Sequence, residues 1–215
     1  MHRNSKLLFA KYALPLFTSN ARVLEIGPDG FPSTYRKMVP IDKLVWDTLD
    51  IYSSPSLTYP KSALYNFPIA NDTYDIVLSG QVIEHVERIW RWLPELARVT
   101  KPGGLVITIN PVSWPYHEAP LDCWRIFPAG MRALCEDSGL TVELCHFESL
   151  ELPHFRRALP GRSPEWQRPF IVRLLFCVFG PLRLPVEKAF DTITLARKPP
   201  NQSLQPTAGR RDLQI

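Results

Sequence analysis

Short apolar runs, each closed by turn residues, alternate along this chain with stretches of helical spacing. The run Arg22-Val-Leu-Glu-Ile26 empties into Gly27-Pro28-Asp29-Gly30, the pattern of a buried strand ending in a tight turn. Residues 44–51 form the next such run, residues 33–39 supply a crossover helix between the two, and residues 56–59 predict a short third strand. Asp75-Ile-Val-Leu-Ser79 is the clearest strand of the middle region, entered from the turn Asn71-Asp72-Thr73 and followed by helical spacing from Gln81. A helix over 94–100 stops at Lys101-Pro102-Gly103-Gly104, where proline cannot continue it and the glycines permit the reversal into a strand over 105–110. Pro128 suits the first turn of a helix reaching Gly139, a strand follows at 141–147, and the alternating run 191–197 is the last. Ahead of all these, Leu7, Leu8, Ala10, Lys11 and Leu14 describe a short amphipathic helix stopped near Pro15.

Strands alternating with helices predict one Rossmann-like α/β domain over 1–198, a doubly wound, mostly parallel sheet with an antiparallel last strand. Its ligand is expected at the carboxyl ends of the strands. The rhythm breaks over 148–190, a Pro- and Arg-rich insertion. Its apolar centre, 170–179, contains Arg173 and is too short to span a bilayer, so a cap helix is expected there. Residues 199–215 lack apolar periodicity and are expected to form a disordered tail.

Composition narrows the partners more than it changes this picture. With 215 residues, 45% hydrophobic and 21% charged, the chain suits one globular core. A formal net charge of +4 without a concentrated basic stripe argues against nucleic acid. Cys123, Cys135, Cys145 and Cys177 show no C-x-x-C spacing and sit in or beside apolar stretches. Buried thiols in a reducing, cytoplasmic setting are therefore expected, with neither disulfides nor a metal site. Lys11 interrupts the N-terminal apolar run, so no signal peptide is read. Within the basic insertion, residues 169–185 are a candidate for peripheral contact with the inner face of a membrane. The sequence is silent on oligomeric state.

The candidate chemistry gathers at strand ends. Glu25 precedes the Gly27 turn by two residues, and Asp50 follows about 20 residues on, at the end of the second strand, where a carboxylate can accept both hydroxyls of a ribose. A dinucleotide site would prefer G-x-G-x-x-G, yet Asp29 replaces the second glycine and would repel a pyrophosphate. S-adenosylmethionine carries a sulfonium and no phosphate, so an acidic turn suits it. A nicotinamide-dependent oxidoreductase is correspondingly disfavoured.

Beyond these residues, the chain resembles the class I methyltransferases that act mainly on small molecules, over 22–140. The motifs come in order: Val23-Leu-Glu-Ile-Gly27, Leu49-Asp50-Ile51, Phe67-Pro68 with Tyr74-Asp75-Ile-Val-Leu, Gln81-Val-Ile-Glu-His85, and Leu96-Ala-Arg-Val-Thr-Lys-Pro-Gly-Gly104. The resemblance implies S-adenosylmethionine as cofactor and methyl transfer to a small-molecule or glycan-type acceptor. By it, Glu25, Gly27 and Gly30 shape the methionine end, Asp50 with Ile51 holds the ribose, and Ser79 and Gln81 line the wall. Ala63 stands where relatives often carry an acidic residue toward adenine, so the backbone of Leu64 or a neighbouring polar group is the expected contact there. A non-enzymatic binder of the same fold is the alternative reading.

Acceptor groups are expected in the loop that follows residues 105–110, which opens at the same end of the sheet. His117 is the candidate general base, Asp122 orients the acceptor, Trp114 and Trp124 stack on a sugar or aromatic ring, and Arg125 clamps an anionic group. The plainer alternative pairs Asp122 with Arg125 internally and lets the tryptophans pack the loop onto the sheet. His85 is a reserve base, or a histidine satisfying a buried carbonyl beside Glu84 at a helix start. This loop resembles the P-x-D-x-W-R segment of bacterial methyltransferases associated with surface glycans or other secondary biosynthesis.

Overall fold

The structure, a computed structural model, describes residues 3–60, 63–114, 116–118, 121–151 and 189–200. Its strands are β1 (Arg22–Ile26), β2 (Val45–Leu49), β3 (Tyr74–Gly80), β4 (Thr100–Pro111), β5 (Thr141–Glu148) and β6 (Asp191–Arg197), arranged in one sheet of order β2-β1-β3-β4-β6-β5. β2, β1, β3 and β4 run parallel, while β6 runs antiparallel to both of its neighbours. The expected antiparallel last strand is therefore present, inserted one place in from the sheet edge. Near-continuous burial along β1, β3, β4 and β6 is what a sheet covered on both faces requires, and the edge strand β5 is instead half exposed.

The N-terminal helix α1 (Arg3–Leu8) and the short crossover helix α2 (Thr34–Met38) cover one face, and α3 (Ile89–Val99) with α4 (Pro128–Asp137) cover the other. α1 continues through a π turn over Phe9–Ala13 and a 3₁₀ turn over Leu14–Leu16. That wider turn shifts the phase of the apolar stripe, so Leu8, Phe9, Ala13 and Phe17 are buried, while Ala10 of the predicted stripe is exposed. The buried amide of Asn4 fastens this segment across the sheet, donating to Asp191 Oδ2 at 2.6 Å and accepting from Leu150 N at 2.8 Å.

Three predicted elements differ from those observed. Residues 56–59 form no strand; Tyr59 makes one bridge to Leu49, and Thr58 and Thr48 exchange hydrogen bonds from backbone N to side-chain oxygen, both at 3.1 Å. The helical spacing from Gln81 yields only a 3₁₀ turn, Ile83–His85, and α3 begins at Ile89 with Pro94 inside it. A proline within a helix costs about 3 kcal/mol. Trp92, Leu93 and Leu96 are fully buried on the opposite face, each worth roughly 1.5–3 kcal/mol, and their burial carries the helix through. β4 starts at Thr100 rather than at 105, because 101–104 form an irregularity within the pairing to β3.

Cys135 and Cys145 are buried as expected, and burial pushes the Cys135 thiol up to about 12. Cys123 is exposed, because its loop lies at the surface above the sheet end. No helix among the described residues is long and apolar enough to cross a membrane. The predicted cap helix over 170–179, the candidate membrane segment 169–185 and the predicted tail beyond residue 200 lie outside the described residues.

Candidate active site

β1, β2 and β3 release their chains at the same end of the sheet, and a cleft of about 200 Å³ opens there. This is the crevice of an open α/β sheet at which the chain turns one way to β2 and the other way to β3. Gly27, Asp50, Ile51, Leu64 and Gln81, all predicted, line it together with His85. Gly27 has φ +69°, donates its N–H to Leu49 O at 2.9 Å, and would place a Cβ 2.4 Å from Val82 Cγ2, so no other residue fits that turn unstrained. Asp50 accepts from Tyr52 N through Oδ1 at 3.0 Å, and its Oδ2 makes no hydrogen bond among the described residues. Gln81, in the left-handed region at φ +61°, turns its side-chain amide to Asp191 Oδ1 at 3.1 Å. Its Oε1 is buried with no partner among the described residues, and so is Ser79 Oγ. Val82, Val86, Phe67, Tyr52 and Trp92 also line the cleft. Sequence reasoning missed them, since apolar residues at such spacing read as core.

Glu25, Gly30 and Ser79 stand outside the lining. Glu25 is 1% exposed; its Oε2 accepts from Ser33 Oγ at 2.5 Å and Trp46 Nε1 at 2.8 Å. Burial pushes its carboxyl up to about 7, against the opposing effect of those two donors. Asp29 has a local use: its carboxylate accepts from Thr34 N at 2.8 Å and Thr34 Oγ1 at 2.7 Å at the start of α2.

A second group of side chains adjoins the cleft through His85. The carbonyl of Glu84 accepts from Cys123 N at 2.7 Å and Trp124 N at 3.3 Å, tying the loop after β4 to the turn after β3. His85 Nδ1 is bonded to Leu121 O, and His85 and His117 meet edge to face with ring centroids 5.1 Å apart. Asp122, its side chain 1% exposed, accepts from Arg125 at 2.5 and 2.7 Å and from His117 N at 2.7 Å. Burial alone would raise the Asp122 carboxyl; Arg125 and the His117 N–H outweigh it and hold the group below its ordinary value. Arg125 also donates to Trp114 O at 3.1 Å, and Trp124 donates to Val86 O at 2.9 Å while packing on the core. The internal ion pair and the packing role are thus what the structure shows for Asp122, Arg125 and Trp124. Glu84, expected to favour a helix start, is instead fully buried, and burial pushes its carboxyl up to about 8.

Residues 44–108 match the methyltransferase domain model, the stretch that runs from β2 through the cleft to β4. An uncharacterized methyltransferase of Mycobacterium bovis is 58% identical over 40 residues, which are 19% of this chain and 16% of that protein. The chain is thus similar to methyltransferases over this central stretch. Among solved structures, an S-adenosylmethionine-dependent methyltransferase from Archaeoglobus fulgidus superposes with a TM-score of 0.58 at 19% identity, covering 90% of this chain and 94% of that one. A Haemonchus contortus phosphoethanolamine N-methyltransferase, solved with S-adenosylmethionine, gives 0.56 at 12% identity, covering 91% of this chain and 52% of that one. At these identities the likeness is one of fold. The match to the curated relatives spans well under a third of their length, 16% in the M. bovis protein and 20% in one of Mycobacteroides abscessus.

Proposed function

We propose that this chain is an S-adenosylmethionine-dependent methyltransferase acting on a small-molecule or glycan-type acceptor. The observation that carries the reading is the convergence of Gly27, Asp50 and Gln81 on one cleft at the carboxyl ends of adjacent strands. The residues suit this cofactor: a bare turn at Gly27, a carboxylate at Asp50 that lines the cleft, and a buried acceptor oxygen at Gln81 Oε1. These are acceptors for hydroxyl and ammonium groups, and with Asp29 in the turn they form no cradle for a pyrophosphate. When bound, S-adenosylmethionine supplies an electrophilic methyl on sulfonium. Methyl transfer then asks the protein chiefly to align donor and acceptor, an effect worth up to ~7–11 kcal/mol.

In this reading Asp50 holds the ribose, Gly27 admits the methionine end and Leu64 flanks the base. Acceptors enter beside Asp122 and Arg125, whose ion pair braces residues 121–125, and meet His85 and His117 at the edge of the cleft. Asp122 is therefore a positioning residue for His117, whose Nδ1 it faces at 3.3 Å. Incubation with methyl-labelled S-adenosylmethionine and panels of hydroxyl, amine and glycan acceptors tests the proposal. It predicts acceptor-dependent S-adenosylhomocysteine formation that Asp50→Ala abolishes at low donor concentration. Donor binding without product from any acceptor class would instead support the non-enzymatic alternative.

A further inference from the structure

We propose that Glu84, His85 and His117 hold a divalent transition-metal ion, zinc foremost, at the junction of the cofactor cleft and the acceptor loop. One ligand atom from each lies within 4.8 Å of the other two. Glu84 is 1% exposed, and neither of its carboxylate oxygens has a hydrogen-bond partner among the described residues. A buried carboxyl left bare in this way is rare and needs a counterpart, for which a bound cation is a standard resolution.

The two histidines are set as metal ligands are set. His85 gives its Nδ1 to the Leu121 carbonyl, and His117 Nδ1 faces the Asp122 carboxylate at 3.3 Å. In the neutral His85 ring this leaves the lone pair on Nε2, which stands 3.7 Å from Glu84 Oε1. Histidine ligands commonly donate their other ring N–H to a carbonyl or carboxylate, which fixes tautomer and orientation. Asp122 is held in turn by Arg125 at 2.5 and 2.7 Å. The surrounding shell is therefore built. Ligand atoms on tetrahedral zinc stand about 3.3–3.5 Å apart, so closing the present arrangement asks for a shift of roughly an ångström, chiefly by His117 on its loop.

Two imidazoles and one carboxylate suit zinc with a position left open for water or substrate. His85 also lines the cofactor cleft, so that open position adjoins the donor. Resting on the methyltransferase reading, this names the acceptor class as an oxygen nucleophile, a hydroxyl whose acidity the ion raises. The hydroxyl proton leaves to solvent, an oxygen–carbon bond forms to the methyl, and the carbon–sulfur bond breaks with its electron pair left on sulfur as S-adenosylhomocysteine.

The test uses the full, tag-free chain stripped with chelator and titrated with cobalt(II), followed by zinc competition, without S-adenosylmethionine present. The proposal predicts one equivalent bound with visible d–d absorption. It predicts losses of affinity of about 10–100-fold or more in Glu84→Gln, His85→Ala and His117→Ala, and a comparable loss in Asp122→Asn. His117, on a surface loop, is the variant that keeps the fold should the others lose it. Absence of stoichiometric binding, or binding unchanged in both Glu84→Gln and His117→Ala, would overturn the site. A parallel donor titration separates the two readings. Metal binding without donor binding would leave the site standing and remove the methyltransferase reading, and the reverse result would do the opposite.

Discussion

Burial holds the Glu25 carboxyl at about 7 in the folded protein, well above the ordinary value of 4.5, so folding favours its protonated form. Stability from this group is fully present below the unfolded value and is lost as pH rises through the folded one, by about 3 kcal/mol in all. Glu25→Gln should flatten the fall in stability between pH 5 and pH 8 by that amount, as read from urea unfolding; an unchanged slope would contradict the assignment. Asp50→Ala removes a carboxylate that lines the cleft. Loss of a hydrogen bond to a charged group, about 1.5–3 kcal/mol, should weaken S-adenosylmethionine binding roughly 10–100-fold. Gly27 and Asp50 were legible in the sequence because each directly follows a strand, and strand ends are where such a fold places its ligand; Gln81 was implied only by the resemblance to methyltransferases. Glu84 was not legible. Its burial is created by the chain returning at 121–126, a contact that local spacing does not announce.

At the scale of elements, the turn after β1 and the loop after β4 carry separate parts of the site. Gly27→Ala forces a side chain into the left-handed region and against Val82. A loss of about 1–3 kcal/mol in stability is expected, together with weaker donor binding. Arg125→Ala leaves the buried Asp122 carboxylate without its cation and should cost about 3 kcal/mol. Donor affinity should survive that change, because Arg125 does not line the cleft, and calorimetry on the folded variant checks it. β1, β2, β3 and β6 were legible from apolar runs bounded by turns. The start of α3 was hidden by Pro94, which ordinarily marks a helix boundary but here lies on the exposed face, opposite Trp92 and Leu96. Residues 56–59 have strand-like composition but are held beside β2 by threonine hydroxyls in place of a backbone ladder. The phase of α1 escaped because a π turn breaks the 3.6-residue period.

For the molecule as a whole, the strand order β2-β1-β3-β4-β6-β5 follows from parallel crossovers with one antiparallel return, and it sets the ligand crevice between the exits of β1 and β3. That location was legible in the sequence, since alternating strands and helices leave little choice of where a ligand binds. What binds there is the central claim. Isothermal calorimetry with S-adenosylmethionine and S-adenosylhomocysteine, with NADH as control, tests it most directly. The account predicts micromolar binding of the first two and none of the third; no binding of either adenosyl ligand, or preferential binding of NADH, would contradict it.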